Sequence, residues 1–494
     1  MKLKTLLINP SFPNTFWSFK YALKFIRKKA AFPPLGLLTI ASLLPDEWPK
    51  RLVDINVDRL SDDDLDWADI VFIGGMAIQR DSAKQIIARC KAKRVRIIGG
   101  GPLFTAEPEA FKEMDHLVLD EAELTLPVFL SDLEKGRAKR IYRAEGFCDL
   151  NKTPIPMWPL IRMGKYATMS IQFSRGCPFN CDFCNVTVLF GRRVRMKTPE
   201  QVVAELDVIY HAGWRGNIFF VDDNFIGNRH YLKTQLLPAI IEWRKDKKGC
   251  VFFTEASINL ADDPELIKMM VKAGFDSVFI GIESPDEDSL SECFKNQNKN
   301  RDLLQNVKII QRAGLQVQGG FIVGFDSDTQ YTFQRQIEFI QKSGIVTAMV
   351  GLLQAPPGTR LFDRLRRENR VTGSMSGDNV DGSTNIIPKM GTEKLLEGYR
   401  TIMKHIYSPK YFYRRVKTFL KEFKPPQATS PMDFQRFLAF FRSCLKLGIW
   451  GKERFQYWQL LVWTLLRRPR LLPLAINLAI YGYHFRKICE QHIL

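Results

Sequence analysis

Three cysteines stand at spacings of four and three in CPFNCDFC, residues 177–184, whereas the other six of the nine cysteines are scattered. A structural zinc site takes four protein ligands, usually as two pairs, and no second Cys pair or Cys/His pair exists at a usable spacing. An isolated disulfide would leave one thiol over. Three thiolates suit another group, a 4Fe-4S cluster held through three of its irons with the fourth open to a small molecule. The bland alternative is a chance loop of buried or zinc-binding cysteines. An odd cysteine count without a paired framework, behind a start (MKLKTLLINPSFP) that lacks the apolar core and cleavage site of a secretory signal, predicts a reducing cytoplasmic setting.

Such a cluster needs a scaffold, and the sequence predicts an α/β one. Residues 1–148 alternate apolar runs with amphipathic stretches (KTLLINP, RLVDINV, ADIVFIGGM, RVRIIGGGP), the pattern of an open parallel Rossmann-like sheet. Ligands of such sheets sit at the carboxyl ends of the strands. There stand Gly74 and Gly75 after Ile73, and Gly99, Gly100 and Gly101 after Ile98, unless these glycines merely satisfy turns. The proline-rich NKTPIPMWPL lies in a linker, 149–165. A second series follows over 166–394, with strand-like runs at ATMSIQFS, GNIFFVDD, VFFTEASIN, SVFIGIES, QVQGGFIVGF and TAMVGLLQAP. Six strand-helix units make a partial parallel barrel whose chemistry belongs at the carboxyl ends, where the cysteine stretch stands.

Residues 395–494 read as a basic helical region. From Arg400 onward eighteen Lys/Arg face four Asp/Glu, which places +14 of the +19 net charge in the last fifth of the chain. The apolar runs LLVWTLL and LLPLAINLAIYGY are separated by Arg467, Arg468, Pro469 and Arg470, and neither reaches the roughly 18 residues that span a bilayer. FQRFLAFFRSCLKLG and FQYWQLLVWTLLRRPR have the composition of helices lying at the inner face of an anionic membrane; the alternative is helices packed on the barrel with a solvated basic face. A basic tail also permits RNA binding through phosphates.

Cys177, Cys181 and Cys184, with Phe183 before the last, match the CxxxCx(aromatic)C signature, and the chain resembles the radical S-adenosylmethionine (SAM) superfamily. The resemblance implies that the open iron chelates the amino and carboxylate groups of SAM, and that one electron from a ferredoxin or flavodoxin type of donor cleaves it to methionine and a 5'-deoxyadenosyl radical. It also implies roles for residues at the strand ends. Asp222 or Asp223 of FFVDDNF would receive the methionine amine, and Glu255, Ser257 and Asn259 of TEASIN suit the ribose. Gly320 and Gly324 of GGFIVG would pass beside adenine, with Ser327 where an acidic residue is usual, and Glu283 is a further SAM-pocket candidate.

A parallel α/β domain ahead of such a barrel resembles the cobalamin-binding radical SAM class, in the order PPLGLLTIASLLP, GGM, GGGP and DEAE (120–123, where GEGE is common). The DxHxxG pattern that supplies an axial histidine to cobalt is absent, and the domain's lone histidine, His116, lies outside any such pattern. The resemblance extends to about residue 415 and is nearest to the subfamily containing the hopanoid methylase that acts at ring position two, which implies a methyltransferase of lipid metabolism acting on an unactivated carbon of an apolar substrate. Lipid ring formation or carbon-carbon coupling without methyl transfer is the alternative within the subfamily. A tRNA-modifying enzyme of the methylthiotransferase type is disfavoured, since only Cys90 and Cys148 precede the motif where such enzymes carry three cysteines.

Overall fold

The computed structural model describes residues 2–378, 381–425 and 434–493. The first sheet holds β1 (Thr5–Asn9), β2 (Lys50–Asp54), β3 (Ile70–Gly74), β4 (Arg96–Gly100), β5 (His116–Val118) and β6 (Ile141–Tyr142). Its order is β2-β1-β3-β4-β5-β6, and every pair is parallel. Helices Leu35–Leu43 and Ala122–Glu134 cover one face through Leu37, Ala41, Leu126 and Phe129. Helix Arg80–Ala92 covers the other through Ala83, Ile86, Ile87 and Cys90. Burial on both faces explains the continuous apolar runs LLI of β1 and IVFI of β3. The strand order reverses between β1 and β3, so a crevice opens at their carboxyl ends.

The second sheet consists of β7 (Thr168–Ile171), β10 (Asn217–Phe220), β11 (Val251–Ala256), β12 (Phe275–Glu283), β13 (Gln316–Val323) and β14 (Ala348–Leu352), parallel and adjacent in chain order. Between β7 and β10 lies a two-residue antiparallel pair, β8 (Ser174–Arg175) with β9 (Arg195–Met196). Side chains alternate across a strand. Ile218, Phe220, Phe252, Val278, Ile280 and Val317 are fully buried in the main core. Phe219, Phe253, Glu255, Phe279, Gln318 and Gly320 share the opposite face and are only half-buried. The Phe219 and Phe253 rings stack there at 4.7 Å and 6°. Phe32 packs 5.5 Å from Phe219, and Trp17 lies 5.2 Å from Phe279. Both come from the long connection between β1 and helix Leu35–Leu43, which crosses to the second sheet: Ala167 and Thr168 donate to the carbonyls of Ala30 and Ala31.

The tail packs on this body and turns further aromatic residues inward. Phe16, Tyr407 and Phe485 meet in one cluster, and His484 of helix Leu472–His492 contacts the Phe16 carbonyl at 3.0 Å. Arg415 is fully buried and donates to the carbonyls of Ile406 (2.9 Å) and Val346 (3.2 Å), which locks helix Pro409–Glu422 to the strand-side core. No helix among the described residues is long and apolar enough to cross a membrane.

Candidate active site

The cysteine stretch begins one residue past β8. Asp222, at the end of β10, organises this transition: its carboxylate accepts from the Phe173 N–H (3.2 Å), the Ser174 hydroxyl (2.6 Å) and the Ser174 N–H. Burial pushes Asp222 up to about 7, opposed by the Ser174 donors. Asp222 is therefore taken up in holding this turn, and its neighbour Asp223 accepts from the Gly176 N–H. Gly176 follows at φ 92°, and a Cβ there would lie 2.6 Å from the Arg193 carbonyl oxygen. A side chain meets both the left-handed backbone penalty and a rigid carbonyl. Gly176→Ala is expected to destabilise the fold by about 1–3 kcal/mol and to lower iron incorporation, read by melting temperature and iron analysis.

Cys181 is buried, and Cys177 and Cys184 are half-buried. Burial raises all three thiols, Cys184 to about 12, and the Cys181 charge raises each of the other two further. The loop is held from outside. The Asp182 N–H donates to the Cys293 carbonyl (3.1 Å), the Asp182 carbonyl accepts from Leu361 N–H (3.0 Å), and Gln297 Nε2 reaches the Cys181 sulfur at 3.7 Å. Phe183 packs against Phe325 at 6.3 Å, joining the cysteines to the segment that follows Gly324. No three His, Cys, Asp or Glu side chains converge on a single-ion site among the described residues. A cluster sets a different requirement, because each thiolate binds its own iron and the sulfurs stand further apart than around one ion. Three enclosed thiols within electrostatic reach of one another, beside the cation Lys295, fit that demand.

Facing the thiols is an acidic layer. Burial raises Asp223 to about 6, and burial together with repulsion from Asp223 and Asp222 raises Glu255 to about 8. Glu255 shares the concave face with Phe253, so its carboxyl looks into the same half-open space as the aromatic rings. An under-neutralised pair of carboxyls fits a ligand carrying ammonium and sulfonium charge. Because the folded pKa of Glu255 exceeds the ordinary 4.5, its neutral form stabilises the protein at low pH and that contribution is lost as pH rises toward 8. Glu255→Gln is expected to raise the melting temperature of the ligand-free protein at pH 8, by about 1–3 kcal/mol of stability, with no change at pH 4. The same variant should weaken SAM binding about tenfold, measured by titration calorimetry.

Of the remaining SAM candidates, Glu283 at φ 62° is held by Lys295 Nζ at 2.6 Å. Its carboxylate is therefore already paired, and the residue within electrostatic reach of Cys181 and Cys184 is Lys295. Burial disfavours the Lys295 charge, but Glu283 and the Cys181 and Cys184 sulfurs retain it. No sequence motif announced this lysine. Ser257 donates to Asn259 Oδ1 at 2.7 Å, so the two act as one polar unit beside Glu255. Gly320 lies on the concave face beside Phe279, where a Cβ would approach the ring to 3.0 Å, and Gly324 has φ 112°. The turn at Gly324 is fixed by Asp328, whose carboxylate accepts from the Gly324 (2.7 Å) and Phe325 (3.1 Å) N–H groups. Asp328 supplies the acidic group one position beyond Ser327.

The first sheet reaches the cysteines through DEAE. Arg175 of β8 bridges Glu121 (3.0 Å) and Glu123 (2.7 Å), while Arg195, its partner in β9, bridges Glu121 (2.9 Å) and donates to the Cys148 carbonyl (2.9 Å). Thus the turn after β5 is clamped to a residue two positions before Cys177. At the neighbouring strand ends Gly74, Gly100 and Gly101 are half-exposed, with Gly101 at φ 87°, and the exposed Phe12 and Met76 stand beside the β1/β3 crevice. This combination of open backbone and apolar rim fits a large planar cofactor. Gly75 and Gly99 differ: both are buried, and a Cβ on Gly99 would meet the Met114 sulfur at 2.7 Å, so packing accounts for Gly99. His116 opens β5 opposite Ile98, two residues short of the glycine-bearing carboxyl end, and contacts the Lys139 carbonyl at 2.7 Å.

Two family models match the chain, the Radical SAM superfamily over residues 171–340 and a domain of unknown function, DUF4070, over 359–493. The chain is 40% identical to an uncharacterized methyltransferase of Synechocystis sp., over 99% of this chain and 93% of that protein. It is 34% identical to the hopanoid C-2 methylase of Rhodopseudomonas palustris, over 94% of this chain and 90% of that protein. Among solved structures it is similar to a cobalamin-dependent S-adenosylmethionine radical enzyme, OxsB, with TM-score 0.62 at 14% identity, covering 99% of this chain and 79% of that one. That likeness bears on the fold, an N-terminal α/β domain ahead of a partial barrel.

Proposed function

Because the chain belongs to the radical SAM methyltransferase family that includes the hopanoid C-2 methylase, we propose that it methylates an unactivated carbon of an apolar, polycyclic lipid with the help of cobalamin. The observation that carries the reading is the meeting of three features at one set of strand ends: the three-cysteine loop, the acidic layer of Asp223 and Glu255, and the DEAE turn that fastens the glycine-rich edge of the first sheet beside them. When bound, a 4Fe-4S cluster supplies the electron that cleaves SAM to a 5'-deoxyadenosyl radical, and cobalamin supplies a methyl carrier.

The chain's own groups bind, orient and shield. Cys177, Cys181 and Cys184 would hold the cluster as thiolates, with Lys295 balancing their charge. Asp223 would take the SAM ammonium, Glu255 with the Ser257–Asn259 pair the ribose, and Gly320 and Gly324 would leave room for adenine. Gly74, Gly100 and Gly101 would let backbone approach the corrin. Phe219, Phe253, Phe279, Phe32 and Trp17 give the concave face an aromatic floor that suits an apolar substrate and keeps water from a radical. The chain accordingly divides into a cofactor-carrier domain (1–148), a linker (149–165), the barrel (166–394) and the helical region (395–494).

The test is anaerobic reconstitution with iron, sulfide and hydroxocobalamin, a reduced flavodoxin or ferredoxin, SAM and a polycyclic triterpenoid. Retained corrin, with deoxyadenosine, S-adenosylhomocysteine and methylated lipid formed together, is the expected result. Deoxyadenosine without corrin or methylated product would overturn methyl transfer and favour ring closure or coupling.

A further inference from the structure

We propose that the outer face of the tail helices is a docking surface for an anionic bilayer, a role separate from the reaction above. The helical stretch Phe434–Ser443 and Cys444–Ile449 exposes Phe437, Phe441, Leu445 and Ile449, four residues apart and hence on one stripe. Helix Arg454–Arg467 exposes Phe455, Trp458, Val462 and Leu466 on a second stripe, while Tyr457, Leu460, Leu461 and Thr464 face the core. Trp458 joins the two, its indole N–H donating to the Gly448 carbonyl at 3.0 Å. Trp450, between the helices, is 75% exposed and Leu466 is 76% exposed. So much contiguous apolar surface marks an interaction site.

The charge around the stripes selects the partner. From 434 to 470 the sequence carries eight Lys/Arg and one acidic residue, Glu453. Glu453 is buried against Arg486, so it does not offset the rim. Lys446, Lys452, Arg454, Arg467 and Arg470 are exposed around the apolar stripes. A second copy of this chain would bring two cationic rims together, and phosphate recognition by itself gives no use for exposed Phe, Leu and Val. An anionic lipid surface answers both features: basic side chains meet headgroups while Trp and Phe enter the interface. Since no described helix can span, the attachment is peripheral.

The experiment is sedimentation of the full chain with vesicles of phosphatidylcholine alone or mixed equally with phosphatidylglycerol. Binding to the mixed vesicles, weaker by about tenfold or more with phosphatidylcholine or in high salt, is expected. The triple variant Trp450→Glu, Phe455→Glu, Leu466→Glu should lose binding about tenfold or more while its circular dichroism and melting temperature stay unchanged, as suits exposed positions. Equal binding by wild type and variant, or no binding at all, would overturn the proposal. So would a stable dimer that the same variant dissolves, or an RNA homopolymer that displaces the protein from vesicles. None of these outcomes bears on deoxyadenosine formation, so failure here is distinguishable from failure of the proposed reaction.

Discussion

Alanine in place of Cys177, Cys181 or Cys184 is expected to abolish deoxyadenosine formation, by roughly a thousandfold or more, and to remove the iron-sulfur absorbance. The expectation follows from the ligand count. With three thiolates there is no spare ligand, and the loss of one frees a second iron and leaves the cluster labile. Each thiol is also enclosed, with a pKa raised by burial, so iron must displace a proton from a group the fold keeps neutral. Cys90 and Cys489 provide the contrast, since both are buried in cores remote from the loop. Cys90→Ala and Cys489→Ala should keep full iron and sulfide content. A Cys177→Ala protein that retains iron, sulfide and SAM cleavage would return the loop to the reading of incidental or zinc-binding cysteines.

Much of the scaffold could be read from the sequence because both sheets are parallel and buried, which concentrates apolar residues into short runs at regular intervals. Each of the six runs from ATMSIQFS to TAMVGLLQAP coincides with a strand of the second sheet, at Thr168–Ile171 through Ala348–Leu352, though β12 starts two residues before its run, at Phe275. Two-residue strands escape such a reading. Neither β8 nor β9 has a pattern of its own, yet they carry Arg175 and Arg195. The connection from Pro10 to Pro34 also gave no signal that it crosses to the second sheet, because a crossing is specified by distant partners such as Ala167, Phe219 and His484. Adjacent acids were equally ambiguous: strand alternation turns Asp222 toward Ser174 and Asp223 toward the Gly176 N–H, and the two-residue repeat becomes usable only once the strand's end is known. Lys295 lies twelve residues from Glu283, a separation that no local motif links. For the tail, composition raised two readings as alternatives; the structure bears on the packing one, with Tyr457 and Leu460 turned inward, and leaves Phe455 and Leu466 exposed.

Arg175→Met is the substitution with the next largest expected effect, because it removes the central cation of a buried network that joins two domains. The side chain is 12% exposed, and its partners Glu121 and Glu123 are 2% and 7% exposed. Removing one member of such a group leaves an uncompensated buried charge, which costs about 3–5 kcal/mol. Glu121 keeps Arg195, but Glu123 is left with neutral donors, its own backbone N–H and the Thr153 hydroxyl at 2.9 Å. In the intact protein burial would raise the Glu123 pKa, and the Arg175 guanidinium, together with the Glu123 N–H and the Thr153 hydroxyl, outweighs it and holds the carboxyl below its ordinary range. A depressed folded pKa contributes stability above the unfolded value, and that contribution disappears as pH falls through the folded one. The melting-temperature gap between wild type and Arg175→Met should therefore be widest near pH 7–8 and narrow below the ordinary glutamate pKa of 4.5. Adding Glu123→Met should recover part of the loss, since the orphaned carboxylate goes with it. The clamp also has a functional signature that stability alone would not produce. It fixes the turn after β5 to a point two residues before Cys177, and so fixes the edge of the first sheet relative to the cysteine loop. Loosening it should leave SAM cleavage in the folded fraction largely intact while methylated product per deoxyadenosine falls several-fold, because the radical and the methyl carrier must meet at one substrate carbon. A ratio equal to that of wild type, alongside the lowered melting temperature, would reduce the Glu-Arg network to a structural fastening.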